Sequence, residues 1–107
     1  GENISPIKIE NALNKSYLIE QSLVYGDGKP YLVCLIVLSS EHKESHKEKI
    51  QQEIEKINKN FSKIEKIKKF ITIKDQFTIE NGMMTPTLKL KRYKIIKKYQ
   101  NEIEKLF

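Results

Sequence analysis

The chain has 107 residues, of which 38% are hydrophobic and 32% are charged, and its formal net charge at pH 7 is +6. This length suits one domain and leaves little room for a second. The longest apolar run, from Tyr31 to Leu38, is too short to span a bilayer as a helix. The single cysteine, Cys34, excludes an internal disulfide and is typical of an intracellular protein.

The basic charge is carried almost wholly by lysine, since Arg92 is the one arginine in the sequence. Nucleic-acid-binding proteins commonly rely on arginine forks and interleaved aromatic residues, whereas these lysines alternate with glutamates. Solvated helix faces therefore account for most of the lysines. A basic module that binds nucleic acid or an anionic membrane is the alternative interpretation, and a phosphate-bearing ligand is a further local partner for this charge.

The first predicted element is a short helix. Ser5 and Pro6 are typical of a helix start, because serine caps free amides and proline tolerates the first helical position. Ile9 and Leu13 would then share one face, and the helix would end at about residue 14 or 15.

Two strands are predicted next, at Ile19–Tyr25 and Tyr31–Leu38. The Gly/Asp/Pro-rich segment 26–30 between them has strong turn chemistry, so we expect an antiparallel hairpin. The second strand is continuously apolar and rich in β-branched residues, which predicts burial on both of its faces.

Apolar residues recur every three or four positions from about Lys47 to Lys69, which predicts an amphipathic helix with an interruption near Asn58–Ser62. The repeat is too short for a coiled coil, so these residues are expected to pack on a core. They are Ile50, Ile54, Ile57, Phe61, Ile64 and Ile67.

A short strand at Phe70–Ile73 and an irregular segment from Lys74 to Leu88 follow, and long irregular segments in small domains are often functional. The last helix is indicated by apolar residues on one face, namely Ile96, Tyr99, Ile103 and Leu106. The whole order predicts an α+β fold in which a small, mostly antiparallel three-stranded sheet is flanked by helices. Residues 1–107 are expected to form a single domain.

No metal-binding cluster is evident. His42 and His46 have the spacing that places two side chains on one helix face, but no acidic residue or cysteine completes a site at a known spacing. Cys34 lies within an apolar strand with no obvious base, so we interpret it as a small core residue rather than a nucleophile.

The segment from Thr85 to Arg92 combines hydroxyls with basic side chains where the irregular segment meets the last helix. Thr85 and Thr87 supply hydroxyls, and Lys89, Lys91 and Arg92 supply positive charge. If the backbone is extended, Thr87, Lys89 and Lys91 point to one side. A hydroxyl and ammonium group suits a phosphate or a developing negative charge, whereas a solvated basic helix start is the alternative.

Several motifs resemble the mobile C-terminal domain of the adenylate-forming superfamily, in its long-chain acyl-CoA synthetase branch. Residues 1–6 read Gly-Glu-Asn-Ile-Ser-Pro, where this branch commonly has Gly-Glu-Asn-Ile-Ala-Pro. The Ile-Glu-Gln of 19–21, the Gly-Asp of 26–27 and the apolar strand 31–37 follow in the family's order. Residues 84–89, Met-Thr-Pro-Thr-Leu-Lys, match the branch's Leu-Thr-Pro-Thr-Leu-Lys, whereas many other relatives have Ser-Gly before this lysine.

The resemblance implies a two-step reaction of a long-chain fatty acid–CoA ligase. A fatty carboxylate attacks the α-phosphorus of ATP with loss of pyrophosphate, and CoA then displaces AMP from the acyl-adenylate. Lys89 is implied to be the lysine that acts in the first step. A face near Gly1, Glu2 and Asn3 is implied to approach the thioester site after the domain rotates.

The same resemblance implies that ATP and Mg²⁺ are bound mainly by a preceding N-terminal adenylation domain, and that CoA is the co-substrate. Because the chain begins at Gly1 without a methionine, we expect it to be a piece of a longer protein. The expected partners are that domain, fatty acid, ATP and CoA, without nucleic acid. The expected location is cytoplasmic or peripheral to a membrane. Lys91 and Arg92 are candidates for contacts to phosphate or to backbone.

Overall fold

A computed structural model describes residues 4–107, and within this range helices flank a three-stranded sheet. The elements in chain order are α1 (Pro6–Leu13), β1 (Ile19–Tyr25), β2 (Leu32–Leu38), α2 (Lys47–Asn58), β3 (Ile67–Ile73), α3 (Arg92–Lys98) and α4 (Gln100–Glu104). Single turns of 3₁₀ helix lie at Ser40–His42 and Lys63–Glu65. The predicted α+β fold is confirmed, and so is the Ser5 cap on α1, whose hydroxyl accepts from the Lys8 N–H.

The sheet has the order β1-β2-β3, and its two strand pairs differ in direction. β1 and β2 form the predicted antiparallel hairpin, with Leu23 opposite Leu35. β2 and β3 are parallel, with Leu35 opposite Ile71. The expectation of a mostly antiparallel sheet is therefore wrong for the second pair. The reason is that α2 lies between β2 and β3 and carries the chain back to the end of the sheet where β2 began.

Every residue of β2 is buried, as its apolar run predicts, because cores lie on both faces of the sheet. On one face, Cys34 and Ile36 belong to a cluster with residues of α1 and α2. On the other face, Val33, Leu35 and Val37 belong to a cluster with Phe77 and with residues of α3 and α4. The helices contribute Ile9, Leu13, Ile50 and Ile54 to the first cluster and Ile95 and Ile103 to the second.

The middle helix is shorter than its apolar period predicts. α2 ends at Asn58, and β3 already begins at Ile67 rather than at Phe70. The Asn58 side chain accepts from the Ile67 N–H at 2.9 Å and donates to the Ile67 carbonyl at 3.0 Å. A side chain that pairs with strand backbone in this way joins the end of the helix to the start of the strand. Ile64 and Ile67 continue the helical spacing of apolar residues, although neither residue lies in an α-helix.

The predicted last helix is divided at Tyr99 into α3 and α4, and Tyr99 has φ −104° and ψ 20°. Ile103 is buried as expected, but the most buried residue of this region is Ile95, which the apolar period had not included. Ile95 lies four residues before Tyr99 and packs in the same cluster as the predicted residues of this helix.

Neither histidine takes part in a metal cluster within residues 4–107, where no group of three or more histidine, cysteine, aspartate and glutamate side chains could hold an ion. His42 instead packs edge-on against Tyr17, with ring centroids 5.0 Å apart. In the same described range, no helix is both long and apolar enough to cross a membrane.

Cys34 should react with thiol reagents only when the domain unfolds. It is fully buried in β2, and burial, with a smaller contribution from the Glu10 carboxylate, raises the pKa of its thiol. Labelling by a maleimide should therefore be at least roughly a thousandfold slower in buffer than in denaturant, since it depends on the small unfolded fraction. An exposed cysteine introduced as Gln52→Cys in a Cys34→Ala background is the control and should react at full rate in both.

The same burial gives stability a pH dependence. Because the folded thiol has a raised pKa, stability is unaffected by this group below the ordinary thiol pKa of about 8.5 and falls as pH rises above it. The Cys34→Ala variant should lose that part of the alkaline slope in urea unfolding. Fast native labelling, or an unchanged slope, would contradict the buried position of the thiol.

Candidate active-site loop

The segment around Lys89 forms a tight hairpin rather than the extended run considered from the sequence. Met84 and Leu90 pair as an antiparallel bridge at its base. One step nearer the tip, the Thr85 N–H donates to the Lys89 carbonyl at 2.8 Å. The two flanks of the loop are therefore held together by backbone bonds, and the alternating arrangement of side chains predicted for an extended chain does not apply.

The tip of this hairpin is a β-turn closed by the Leu88 N–H, which donates to the Thr85 carbonyl at 2.8 Å. Pro86 occupies the second position of the turn, where its fixed φ is favourable. Leu88 follows with φ 62°, in the left-handed region that residues other than glycine rarely adopt. Loops of three residues that end in a left-handed residue are a common form of β-hairpin connection.

The two threonine hydroxyls predicted for the site help to shape this turn. The Oγ1 atoms of Thr85 and Thr87 lie 3.0 Å apart, so one donates to the other. The Thr85 Oγ1 also accepts from the Lys89 N–H at 3.1 Å. Both hydroxyls therefore have a structural task in the loop, which the sequence alone did not indicate.

Lys89 combines a fixed backbone with a free side chain. Its N–H and its carbonyl are both bonded to Thr85, as described above, whereas its side chain is exposed. Within residues 4–107, the Lys89 ammonium has no carboxylate partner. The residue Lys89 lines a groove of about 400 Å³, and the polar part of the groove's lining includes Asn11, Asn14 and Ser22. The Lys89 ammonium is therefore available to an anion outside the domain.

Arg92, the first residue of α3, is committed to an ion pair with Glu10 of α1. Its guanidinium donates to both carboxylate oxygens, with the Nη1–Oε2 distance at 2.7 Å. The same Oε2 accepts from the Val24 N–H at 2.7 Å. Glu10 is only 5% exposed, whereas the Arg92 side chain is partly exposed. The predicted role of Arg92 in binding phosphate therefore competes with a partner inside the domain.

Sequence reasoning did not select Glu10 as a functional residue. Two signals were present: Glu10 follows the core residue Ile9 in the first helix, and Arg92 is the only arginine in a lysine-rich chain. Neither signal shows that the two residues meet, because they are 82 positions apart.

Gln21 holds the irregular segment that leads to the hairpin. Its side-chain amide donates to the Phe77 carbonyl at 2.9 Å and accepts from the Phe77 N–H at 2.8 Å. The Asn81 side chain then organises the next turn by accepting from the N–H groups of Thr78 and Met83. The segment predicted to be irregular is thus ordered by side chains that pair with its backbone.

Among the remaining candidates, the structure describes Lys91. Lys91 is partly buried at the N-cap of α3, and its N–H donates to the Met83 carbonyl at 2.8 Å. The structure therefore brings Lys91 and Arg92 to the base of the Lys89 hairpin. Gly1, Glu2 and Asn3, the candidates for the second face, lie outside the described residues.

Residues 1–107 match the family described as AMP-binding enzyme C-terminal domain. The chain belongs to this family. Among curated proteins, it is 34% identical to a chloroplastic long-chain-fatty-acid–acyl-carrier-protein ligase from Arabidopsis thaliana, with 100% of this chain and 16% of that protein covered. It is 29% identical to a long-chain-fatty-acid–CoA ligase from Mycobacterium tuberculosis, again with 100% of this chain but 21% of that protein covered.

Solved structures of adenylation domains contain a part with the same fold as this chain. The adenylation domain of a Mycobacterium chelonae carboxylate reductase superposes with a TM-score of 0.89 at 29% identity, covering 99% of this chain and 18% of that one. The adenylation domain of the Segniliparus rugosus carboxylic acid reductase, solved with AMP and a co-purified carboxylic acid, gives 0.87 at 30% identity, with 99% and 18% covered. The chain therefore spans about a fifth or less of the proteins that it resembles.

The domain should be more stable with glycine than with alanine at position 88. At its φ of 62°, a residue with a Cβ is strained by about 1 kcal/mol or more, whereas glycine is not. We expect Leu88→Gly to unfold with a free energy about 1 kcal/mol above that of Leu88→Ala in urea titrations. The left-handed backbone at position 88 thus favours glycine over a residue that carries a Cβ.

The matched control is Gln52, an exposed residue within α2. There the order should reverse, and Gln52→Gly should be less stable than Gln52→Ala by about 1 kcal/mol. If alanine is the better residue at both positions, the left-handed conformation of Leu88 is wrong.

Proposed function

We propose that this domain is the C-terminal part of an ATP-dependent long-chain fatty acid–CoA ligase, and that Lys89 acts in formation of the acyl-adenylate. The observation that carries the proposal is the hairpin of Lys89, whose backbone is fixed at both its N–H and its carbonyl while its ammonium is exposed. Membership of the family and the names of the fatty-acid ligases among the relatives support the reaction class.

The first half-reaction requires two anions to approach each other. A fatty carboxylate oxygen forms a bond to the α-phosphorus of ATP while the bond to pyrophosphate breaks. Negative charge grows on the phosphoryl oxygens as this happens, and a positioned ammonium offsets both the charge and the repulsion. Lys89 supplies that ammonium in the proposal, and the rigid hairpin limits the reorganisation that it needs.

In the second half-reaction, the thiolate of CoA attacks the acyl carbonyl and AMP leaves. Lys89 has no task in this step, and the face near Gly1, Glu2 and Asn3 takes its place after a rotation of the whole domain. An adenylation domain that precedes this chain would bind ATP, Mg²⁺ and the fatty acid.

Replacing Lys89 by alanine in the full-length protein should selectively remove the first half-reaction. Pyrophosphate release should fall by about a hundred- to thousandfold, because one electrostatic contact to the transition state is lost. Thioester formation from supplied acyl-adenylate should be much less affected. The control is Lys94→Ala, since Lys94 is an exposed lysine of α3. Equal rates for Lys89→Ala and Lys94→Ala in the first half-reaction would refute the proposed role.

The acceptor thiol has a second candidate, because one relative is a ligase for acyl carrier protein rather than for CoA. The net charge of +6 would attract an acidic carrier protein as well as the phosphates of CoA. We expect CoA to be the better acceptor, with the higher kcat/KM in thioester formation from supplied acyl-adenylate. A higher kcat/KM with holo acyl carrier protein in the same assay would transfer the proposal to the carrier-protein ligases.

The alternative interpretation of the chain as a basic module for nucleic acid or anionic membrane rests on net charge alone. Membership of the family offers a more specific use for Lys89, whose backbone is held at both its N–H and its carbonyl. The ligase proposal is therefore preferred.

A further inference from the structure

The ion pair between Glu10 and Arg92 joins the first helix to the base of the Lys89 hairpin. We infer that Glu10 and Arg92 are positioning residues, which fix the hairpin from which the Lys89 side chain extends, relative to the body of the domain, during adenylate formation. The inference rests on the proposed function of Lys89. It assigns to Glu10 and Arg92 a role in only one half of the reaction.

The path from Glu10 to Lys89 is short and has few flexible links. Arg92 begins α3 and receives both of its carboxylate contacts from Glu10. Lys91, directly before it, is bonded through its N–H to the other flank of the hairpin. Lys89 lies two residues further back and is closed against Thr85. The orientation of the guanidinium therefore sets the base of the hairpin, and the base sets the tip.

Glu10 is itself held from the opposite side. Its Oε2 accepts from the Val24 N–H in β1, and its helix packs on the first core through Ile9 and Leu13. The carboxylate thus connects the edge of the sheet, α1 and the start of α3. It is a fixed reference point for the hairpin, since α1 and β1 cannot shift without disturbing the core.

Stability alone does not account for this pair. Taking two charges out of water is costly, and replacing a buried ion pair by apolar residues of similar volume is often neutral or stabilising. The side chain of Glu10 is 7% exposed and that of Arg92 is 31% exposed. A bidentate contact does, however, define direction as well as distance, which a single lysine ammonium would not do. The one arginine of a lysine-rich chain stands where this property matters.

The test uses the full-length protein with Arg92→Lys and with Glu10→Gln, each compared with Ile54→Ala. Ile54 is buried in the first core, whereas Met84 and Leu90 of the hairpin pack against the second, so this variant controls for loss of stability. We expect Glu10→Gln to lower kcat for pyrophosphate release by roughly a hundredfold, the usual scale of a misplacement of about 1 Å. The KM for ATP should change less. Arg92→Lys keeps the charge but loses the bidentate contact, so its kcat for pyrophosphate release should lie between those of the unmodified protein and Glu10→Gln.

Glu10→Gln and Arg92→Lys should both retain thioester formation from supplied acyl-adenylate. Ile54→Ala should retain both half-reactions. The inference would be overturned if Ile54→Ala, at a melting temperature similar to that of Glu10→Gln, also lost pyrophosphate release. An equal fall of the two half-reactions in Glu10→Gln would overturn it as well. Normal release in both Glu10→Gln and Arg92→Lys, with Lys89→Ala inactive, would overturn the positioning role and leave the proposed function intact. An active Lys89→Ala would overturn the proposed function itself.

Hydrogen exchange supplies a readout that does not depend on turnover. In Arg92→Lys, the amides of Thr85, Leu88 and Lys91, which close the hairpin, should exchange at least tenfold faster, whereas the Leu35 amide in β2 should be unchanged. If the hairpin amides keep their protection when the bidentate contact is lost, the ion pair does not position the loop.

Discussion

The complete burial of β2 is the constraint on which the arrangement of the domain depends. Strand neighbours on both sides satisfy its backbone, and its side chains must be covered on both faces. One helical layer cannot cover both faces of a sheet. The chain therefore places α1 and α2 on one side, and α3, α4 and the segment with Phe77 on the other. The Lys89 hairpin belongs to the second layer, whereas Glu10 comes from the first.

Local patterns predicted the elements well where local chemistry decides. The apolar run of β2, the turn at 26–30 and the Ser5–Pro6 helix start each contain their own cause, and all three were confirmed. The interruption predicted near Asn58–Ser62 is where α2 ends, but the helical pattern was wrong beyond it. Asn58 pairs there with Ile67, nine positions away, in a strand that a helical period also fits. The parallel direction of β3 depends on the path of the whole crossover, which no short window of sequence contains.

The sequence predicted some features of the candidate site and not others. Lys89 was found because the motif at 84–89 resembles that of a known family, while its chemistry alone left a solvated helix start as an alternative. The left-handed conformation of Leu88 was hidden, because leucine gives no hint of it. The contact between Glu10 and Arg92 joins residues 82 positions apart and is a product of the fold. The Glu10–Arg92 contact is tertiary and the Leu88 conformation is local to the hairpin, and both affect how the lysine is presented.

The contact of Glu10 with the Val24 N–H also bears on how the domain behaves in a crowded solution. β1 and β3 are the two edges of the described sheet, and unpaired edge backbone can recruit strands from other molecules. A carboxylate occupies a donor at the β1 edge, and the exposed Lys68 and Lys69 place charge along β3. Charged side chains at strand edges disfavour intermolecular pairing. The Glu10 carboxylate at the β1 edge and the ammonium groups of Lys68 and Lys69 along β3 therefore disfavour pairing of this sheet with a strand of another molecule.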